Sequence, residues 1–231
     1  MVTRHSLLMN SPALLFDLDG TLVDTAPDLL AALNAVLVSE GRQAVDPQTL
    51  RHMVGFGARS LIEQAMAATG ERAAPERIQE LVDGFIAYYR DHIADLSRPF
   101  PEVETTLSSL RQNGARLAVL TNKPQVLTVP ILEALGLSRH FGAVCGAGRY
   151  DYHKPDARVV AHVLEELGGP GAGAVMIGDS AVDVATARAA GIPVILLSYG
   201  YTPEPAQRLG ADAVADSFSA LPALIDGFIV R

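Results

Sequence analysis

The stretch Ala13-Leu14-Leu15-Phe16-Asp17-Leu18-Asp19-Gly20-Thr21 decides the fold. Four apolar residues without polar alternation have the pattern of a short strand buried on both faces, and such strands belong to parallel sheets. Two carboxylates follow at once, then Gly20, which lets the backbone turn where other residues resist. In open parallel sheets ligands sit just outside the carboxyl ends of the strands, so Asp17 and Asp19, two apart at such an end, face one site. Carboxylates that close repel, and a hard divalent ion with oxygen ligands relieves them. Alone, Asp-x-Asp-Gly is equally the chemistry of an Asx turn. A calcium loop is excluded, because its sixth position requires glycine and Leu22 stands there.

Further apolar runs of the same kind recur along the chain. They cover Leu117–Leu120, Ala143–Cys145, Val175–Ile177, Val194–Leu197 and, more weakly, Ala213–Ala215. Between them the spacing predicts helices over Val126–Leu135, Ala157–Leu167 and Asp183–Ala190, closed by Gly136, Gly168 and Gly191. Strand alternating with helix implies βαβ crossovers, a mostly parallel sheet and helices on both faces. From Pro27 to Ile93 the rhythm breaks. Pro27–Glu40, Ala58–Thr69 and Pro75–Ile93 all read as amphipathic helices, bordered by Thr25-Ala26-Pro27 and Arg98-Pro99-Phe100-Pro101. The expected organisation is therefore a catalytic core at 1–24 and 98–231 with a helical insertion at 25–97, joined by two short hinges.

Three more run ends carry reactive groups. Leu120 leads to Thr121-Asn122-Lys123, and Ile177 to Gly178-Asp179-Ser180 with Asp183 a helical turn further on. Cys145 leads, after a loop, to His153-Lys154-Pro155. Thr121 and Asn122 offer a hydroxyl and amides to a phosphate oxygen, and Lys154 offers a point charge. Singly, each is as readily a solvated loop residue, and Asp179 as readily a helix N-cap. Together they supply a nucleophile, a hydroxyl, a cation and a metal seat. Ser180 lacks a Gly-x-Ser-x-Gly elbow, which argues against a serine hydrolase.

The 231-residue chain is acidic, with a formal net charge of −8 and no basic run, which argues against nucleic-acid binding. No apolar run approaches the roughly 20 residues of a membrane span. Met1–Asn10 lacks the apolar region and cleavage site of a secretory signal, and Met9 is an alternative start. Cys145 is alone, so an intrachain disulfide is impossible; a buried, inert thiol and a cytoplasmic location are expected.

The ordered motifs Asp17-Leu18-Asp19-Gly20-Thr21-Leu22-Val23-Asp24, Leu120-Thr121-Asn122, Lys154-Pro155 and Gly178-Asp179-Ser180-Ala181-Val182-Asp183 resemble those of the haloacid dehalogenase-like hydrolase superfamily. The resemblance spans nearly the whole chain. It implies an α/β fold with a doubly wound, Rossmann-like parallel sheet and an inserted α-helical cap. It also implies roles: Asp17 as nucleophile forming an aspartyl-phosphate, and Asp19 as general acid and then base. Mg²⁺ would be held by Asp17, the Asp19 main-chain carbonyl and Asp179, with Asp183 in support. Thr121, Asn122 and Lys154 would neutralise the phosphoryl charge. Dehalogenases of the superfamily do without the acid at the Asp19 position, so its presence favours phosphoryl transfer. The absence of lysine between Asp24 and Lys123 disfavours Schiff-base phosphonatase chemistry.

Asp24-Thr25-Ala26-Pro27-Asp28-Leu29, Val54-Gly55-Phe56-Gly57-Ala58-Arg59-Ser60-Leu61-Ile62, Leu120-Thr121-Asn122-Lys123-Pro124 and Ser198-Tyr199-Gly200-Tyr201 are similar to phosphoglycolate phosphatases. That likeness implies 2-phosphoglycolate or a similar small phosphorylated metabolite as substrate; the oligomeric state stays open between monomer and homodimer. Gly55 and Gly57 would form a flexible cap loop. Arg59 would either meet a substrate carboxylate or snorkel at the surface. Sugar phosphomutases and nucleotide or pyrophosphate hydrolases share the same core residues. The loop Tyr150-Asp151-Tyr152-His153 departs from the more basic sequence expected before Lys154.

Overall fold

A computed structural model describes residues 11–229, so the readings made of Met1–Asn10 lie outside the described residues. Six strands form one sheet: β1 (Ala13–Phe16), β4 (Arg116–Pro124), β5 (Ala143–Ala147), β6 (Ala174–Gly178), β7 (Val194–Leu197) and β8 (Ala213–Ala215). Every pairing in it is parallel, in the order β5-β4-β1-β6-β7-β8. From β1 at the centre the chain builds outward through β4 and β5 on one side. It then crosses back and builds through β6, β7 and β8 on the other. The reversal places a crevice at the carboxyl ends of β1, β4 and β6.

Both faces of the sheet are buried, which is why its strands read as continuous apolar runs. Leu14, Phe16, Val119, Ile177 and Leu197 pack on one side, with Val103, Leu107 and Leu110 of α5 (Val103–Gln112) and Leu221 and Ile225 of α9 (Leu221–Ile225). Leu15, Leu120, Met176 and Leu196 pack on the other, against Val159, Val160 and Val163 of α7 (Ala157–Glu166) and Val184 and Ala187 of α8 (Ala181–Ala190). Alternate residues of each strand thus feed two separate cores. Gly136 and Gly191 take the left-handed conformation just beyond α6 (Gln125–Ala134) and α8, as helix-closing glycines do.

The helical segment has its own apolar cluster. It is built from α1 (Ala26–Ser39), α2 (Pro47–Arg51), α3 (Ala58–Thr69) and α4 (Pro75–Asp91), with Leu33, Leu37, Leu50, Ile62, Phe85 and Tyr89 fully buried. The architecture is therefore α/β, with a helical cap inserted into a doubly wound sheet. Its connections differ from the two separate hinges expected. β2 (Val23–Asp24) and β3 (Arg98–Pro99) pair antiparallel, Asp24 opposite Arg98, so the chain enters and leaves the cap through one ribbon. The buried Asp28 carboxylate ties the two ends together, accepting from the amides of Leu96 and Ser97 and from the Ser97 hydroxyl at 2.6–3.1 Å. Among the described residues no helix is long and apolar enough to cross a membrane.

Candidate active site

Asp17 follows directly on β1 and is buried. One carboxylate oxygen accepts from the Leu18 amide at 2.7 Å, and the other lies 3.0 Å from Lys154 Nζ. Burial pushes the Asp17 carboxyl up from 3.8 to about 6, with Lys154 pulling it down and Asp183 pushing it further up. Asp19 points the other way, toward the cap. It accepts from the Thr25 hydroxyl at 2.7 Å and from Lys123 Nζ at 3.0 and 3.3 Å. Gly20 between these groups has φ 80°, and a Cβ there would stand 2.5 Å from Asp179 Oδ2, so only glycine fits.

The turn after β6 answers which of its residues caps the helix. Asp183, not Asp179, carries that work: its Oδ2 accepts from the amides of Asp179 and Ser180 and from the Ser180 hydroxyl. Its Oδ1 accepts from Lys154 at 2.6 Å. Asp179 is left to face the centre, accepting from the Thr21 hydroxyl at 3.1 Å and the Tyr201 amide at 2.7 Å. Burial, then Asp183 and Asp17, raise its carboxyl well above the ordinary range. Lys154 is buried as well. Burial would lower its ammonium, but Asp17 and Asp183 outweigh that and hold it above the usual value.

Carboxylate oxygens of Asp17, Asp179 and Asp183 lie within 4.8 Å of one another. Among the described residues Lys154 is the one cation bonded to this group, which leaves excess negative charge in a buried place. A divalent cation fits that deficit. Asp183 is saturated by its cap and by Lys154, and the Asp19 carboxylate is engaged elsewhere. Asp17 and Asp179 are the carboxylates of the group left for an ion.

Thr121, Asn122 and Lys123 are buried and belong to β4 itself, whose pairing with β5 slips between Leu120 and Pro124. That irregularity carries the strand past the end of its apolar run. Asn122 donates to the carbonyls of Gly55 and Lys154, at 3.3 and 3.2 Å, while its buried Oδ1 has no partner. A cavity of about 40 Å³ separates these core residues from the cap. Gly57 lines it, with Leu29, Leu61, Phe85 and Tyr89.

Arg59 is not brought to the cavity. It stands at the second position of α3 and turns to the cap surface, bonded to Gln79 and 3.6 Å from Glu63, with its side chain 48% exposed. The surface alternative is the one the fold realises. Two residues beside the centre were not singled out from sequence, Lys123 and Tyr89, whose hydroxyl accepts from Lys123 Nζ at 3.0 Å. One signal did exist: Lys123 is one of only two lysines in the chain. In the unusual loop before Lys154 the half-buried Tyr150 and Tyr152 pack against one sheet core and stack at 5.7 Å, with His162 of α7 4.8 Å from Tyr150. Cys145 is buried, and burial raises its thiol to about 11.

A doubly wound sheet whose switch-point carboxylates face an inserted helical cap defines a hydrolase of the haloacid dehalogenase kind. The chain belongs to the haloacid dehalogenase-like hydrolase family, whose model matches residues 14–197. A protein of Caulobacter vibrioides named phosphoglycolate phosphatase is 48% identical over 96% of this chain and 93% of the relative. Another of that name, from Agrobacterium fabrum, is 42% identical over 96% and 95%. Among solved structures, a predicted phosphoglycolate phosphatase of Haemophilus somnus superposes with a TM-score of 0.87 at 28% identity, covering 93% of this chain and 98% of that one.

Proposed function

We propose that the chain is a Mg²⁺-dependent phosphomonoester hydrolase that works through an aspartyl-phosphate on Asp17. Its substrate is 2-phosphoglycolate or a similarly small phosphorylated metabolite. The observation that carries this is the divergence of the two carboxylates after β1: Asp17 faces Lys154 and the acidic group, while Asp19 faces the cap. In this reading one meets the phosphoryl group and the other the leaving group. The names and near full-length coverage of the relatives support the substrate.

In this reading an Asp17 oxygen attacks phosphorus, the ester P–O bond breaks, and its electron pair leaves with the alkoxide, which takes a proton from Asp19. Water then attacks the aspartyl-phosphate, Asp19 accepts its proton, and inorganic phosphate and free Asp17 result. The Thr121 hydroxyl, the Asn122 amide and the Lys154 ammonium, one of whose three donors has no partner among the described residues, meet the equatorial oxygens. Mg²⁺ held by Asp17, Asp179 and the Asp19 carbonyl supplies charge neutralisation for the same group. Asp183 and Gly20 position these residues. Residues 25–97 act as a cap over a core at 1–24 and 98–231, excluding water during the first step. A cytoplasmic location fits the lone, buried Cys145.

Phosphate release from phosphoglycolate, sugar phosphates, nucleotides and pyrophosphate with Mg²⁺ tests the proposal. Release is expected to be fastest from the smallest monoester, to stop in Asp17→Asn, and to vanish reversibly with EDTA. Turnover by Asp17→Asn sinks the nucleophile assignment, and phosphoryl return to a sugar without net release would make the protein a mutase.

A further inference from the structure

We infer that Lys123, together with the Tyr89 hydroxyl, reads a second anionic group on the substrate, a carboxylate carried on a short tail beyond the phosphate. The inference rests on the monoester reading above and adds the residue that selects the group past phosphorus.

Among the described residues lining the cavity, Lys123 is the one cation. Lys154 is committed to Asp17 and Asp183, and Arg59 faces Glu63 on the outer surface. The Lys123 side chain is only 2% exposed. Its Nζ bonds to both oxygens of the Asp19 carboxylate, at 3.0 and 3.3 Å, and to Tyr89 Oη at 3.0 Å, so a ligand carboxylate takes over the donor that makes the longer Asp19 contact. The Tyr89 ring centroid lies 4.3 Å from Nζ and holds the ammonium in place.

Position fixes what that donor meets. Thr121 and Lys123 are two residues apart on β4 and both line the cavity, so a substrate with its phosphate at Thr121 extends its tail toward Lys123. Leu29, Leu61, Phe85 and Leu127 make much of the remaining wall apolar. An ion pair strengthens in such low-dielectric surroundings. Lys123 belongs to the core and Tyr89 to the cap, so the full set of contacts exists only when the cap is shut.

Calorimetric titration of the full chain with two phosphonates of matched length, one ending in a carboxylate and the other in a methyl group, separates recognition from turnover. The wild-type protein is expected to bind the carboxylate-bearing phosphonate at least about tenfold more tightly, since a buried charged hydrogen bond contributes that much. Lys123→Met should bring the two affinities to within about threefold of each other, and Tyr89→Phe should narrow the gap about threefold. A wild-type protein with no preference overturns the inference. So does a preference that survives in Lys123→Met, which would mean that Lys123 serves only to hold Asp19. If Lys123→Met fails to fold, Tyr89→Phe decides, and an unchanged preference there also overturns it. Selective binding of the carboxylate-bearing phosphonate by a protein that releases phosphate from no monoester would uphold this inference and defeat the catalytic one.

Discussion

The two walls of the cavity are built on opposite physical plans. The core wall is a knot of buried charge: Asp17, Asp179, Asp183 and Lys154 are each held by neighbours at strand ends that cannot shift without disturbing the sheet. The cap wall is apolar side chains and one tyrosine hydroxyl, on helices that pack on one another and on Leu127 and Tyr201 of the sheet domain, and that join it covalently through a two-residue ribbon. Charges that must be placed to a fraction of an ångström sit on the rigid part. In the proposed function, the surface that selects and excludes sits on the inserted helices.

The comparison breaks first at Lys154. Lys154→Met leaves Asp17 and Asp183 facing each other uncompensated, and should cost about 10³-fold in phosphate release and roughly 3–5 kcal/mol in stability. Activity within tenfold of wild type would mean that the core wall is not the charged machine described here. Phe85→Ala probes the other wall. Phe85 is 1% exposed in the cap cluster, and its loss should cost about 3–5 kcal/mol. If the cap cluster is a separate cooperative unit, amide exchange will rise in α1, α3 and α4 while the sheet stays protected; uniform loss across both would contradict the division.

A smaller effect comes from pH. With divalent ions stripped, the folded state holds a proton on Asp17 up to about 6, against 3.8 for the ordinary carboxyl. This group's contribution is therefore full below the unfolded value and is lost as pH rises through about 6. The melting temperature in EDTA should fall between pH 5 and pH 7, and Mg²⁺ should raise it more at pH 7.5 than at pH 5. An equal Mg²⁺ effect at both would show that the ion does not compete with those protons. Smallest of all is Arg59→Ala, which removes an exposed pair and should change stability by no more than about 0.5 kcal/mol. A large loss of activity there would return Arg59 to the cavity and redraw the cap wall.

The sheet was legible because its strands are buried on both faces. Ala13–Phe16, Val194–Leu197 and Ala213–Ala215 match their apolar runs to the residue. β4 ran further than its run because Thr121, Asn122 and Lys123 keep strand geometry past the last apolar residue, which hydrophobicity does not register. The ribbon β2–β3 escaped notice because two residues carry no period. The predicted core site residues are gathered at one end of the sheet because strand ends converge there. Tyr89 was invisible for the opposite reason: it lies in an amphipathic helix, where a buried tyrosine reads as packing until its hydroxyl is seen to meet Lys123. Arg59 stayed open between cavity and surface because sequence gives a helix position but not the face that looks inward.

The ribbon has a further consequence. Asp24 and Arg98 are direct neighbours across it, so everything between them hangs from a single narrow neck. A turn of a few residues could bridge that neck and leave the six-stranded sheet covalently intact. The cap is in this sense a cassette: a lineage could exchange one lid for another, and with it the choice of molecule, without rewriting any residue at the strand ends.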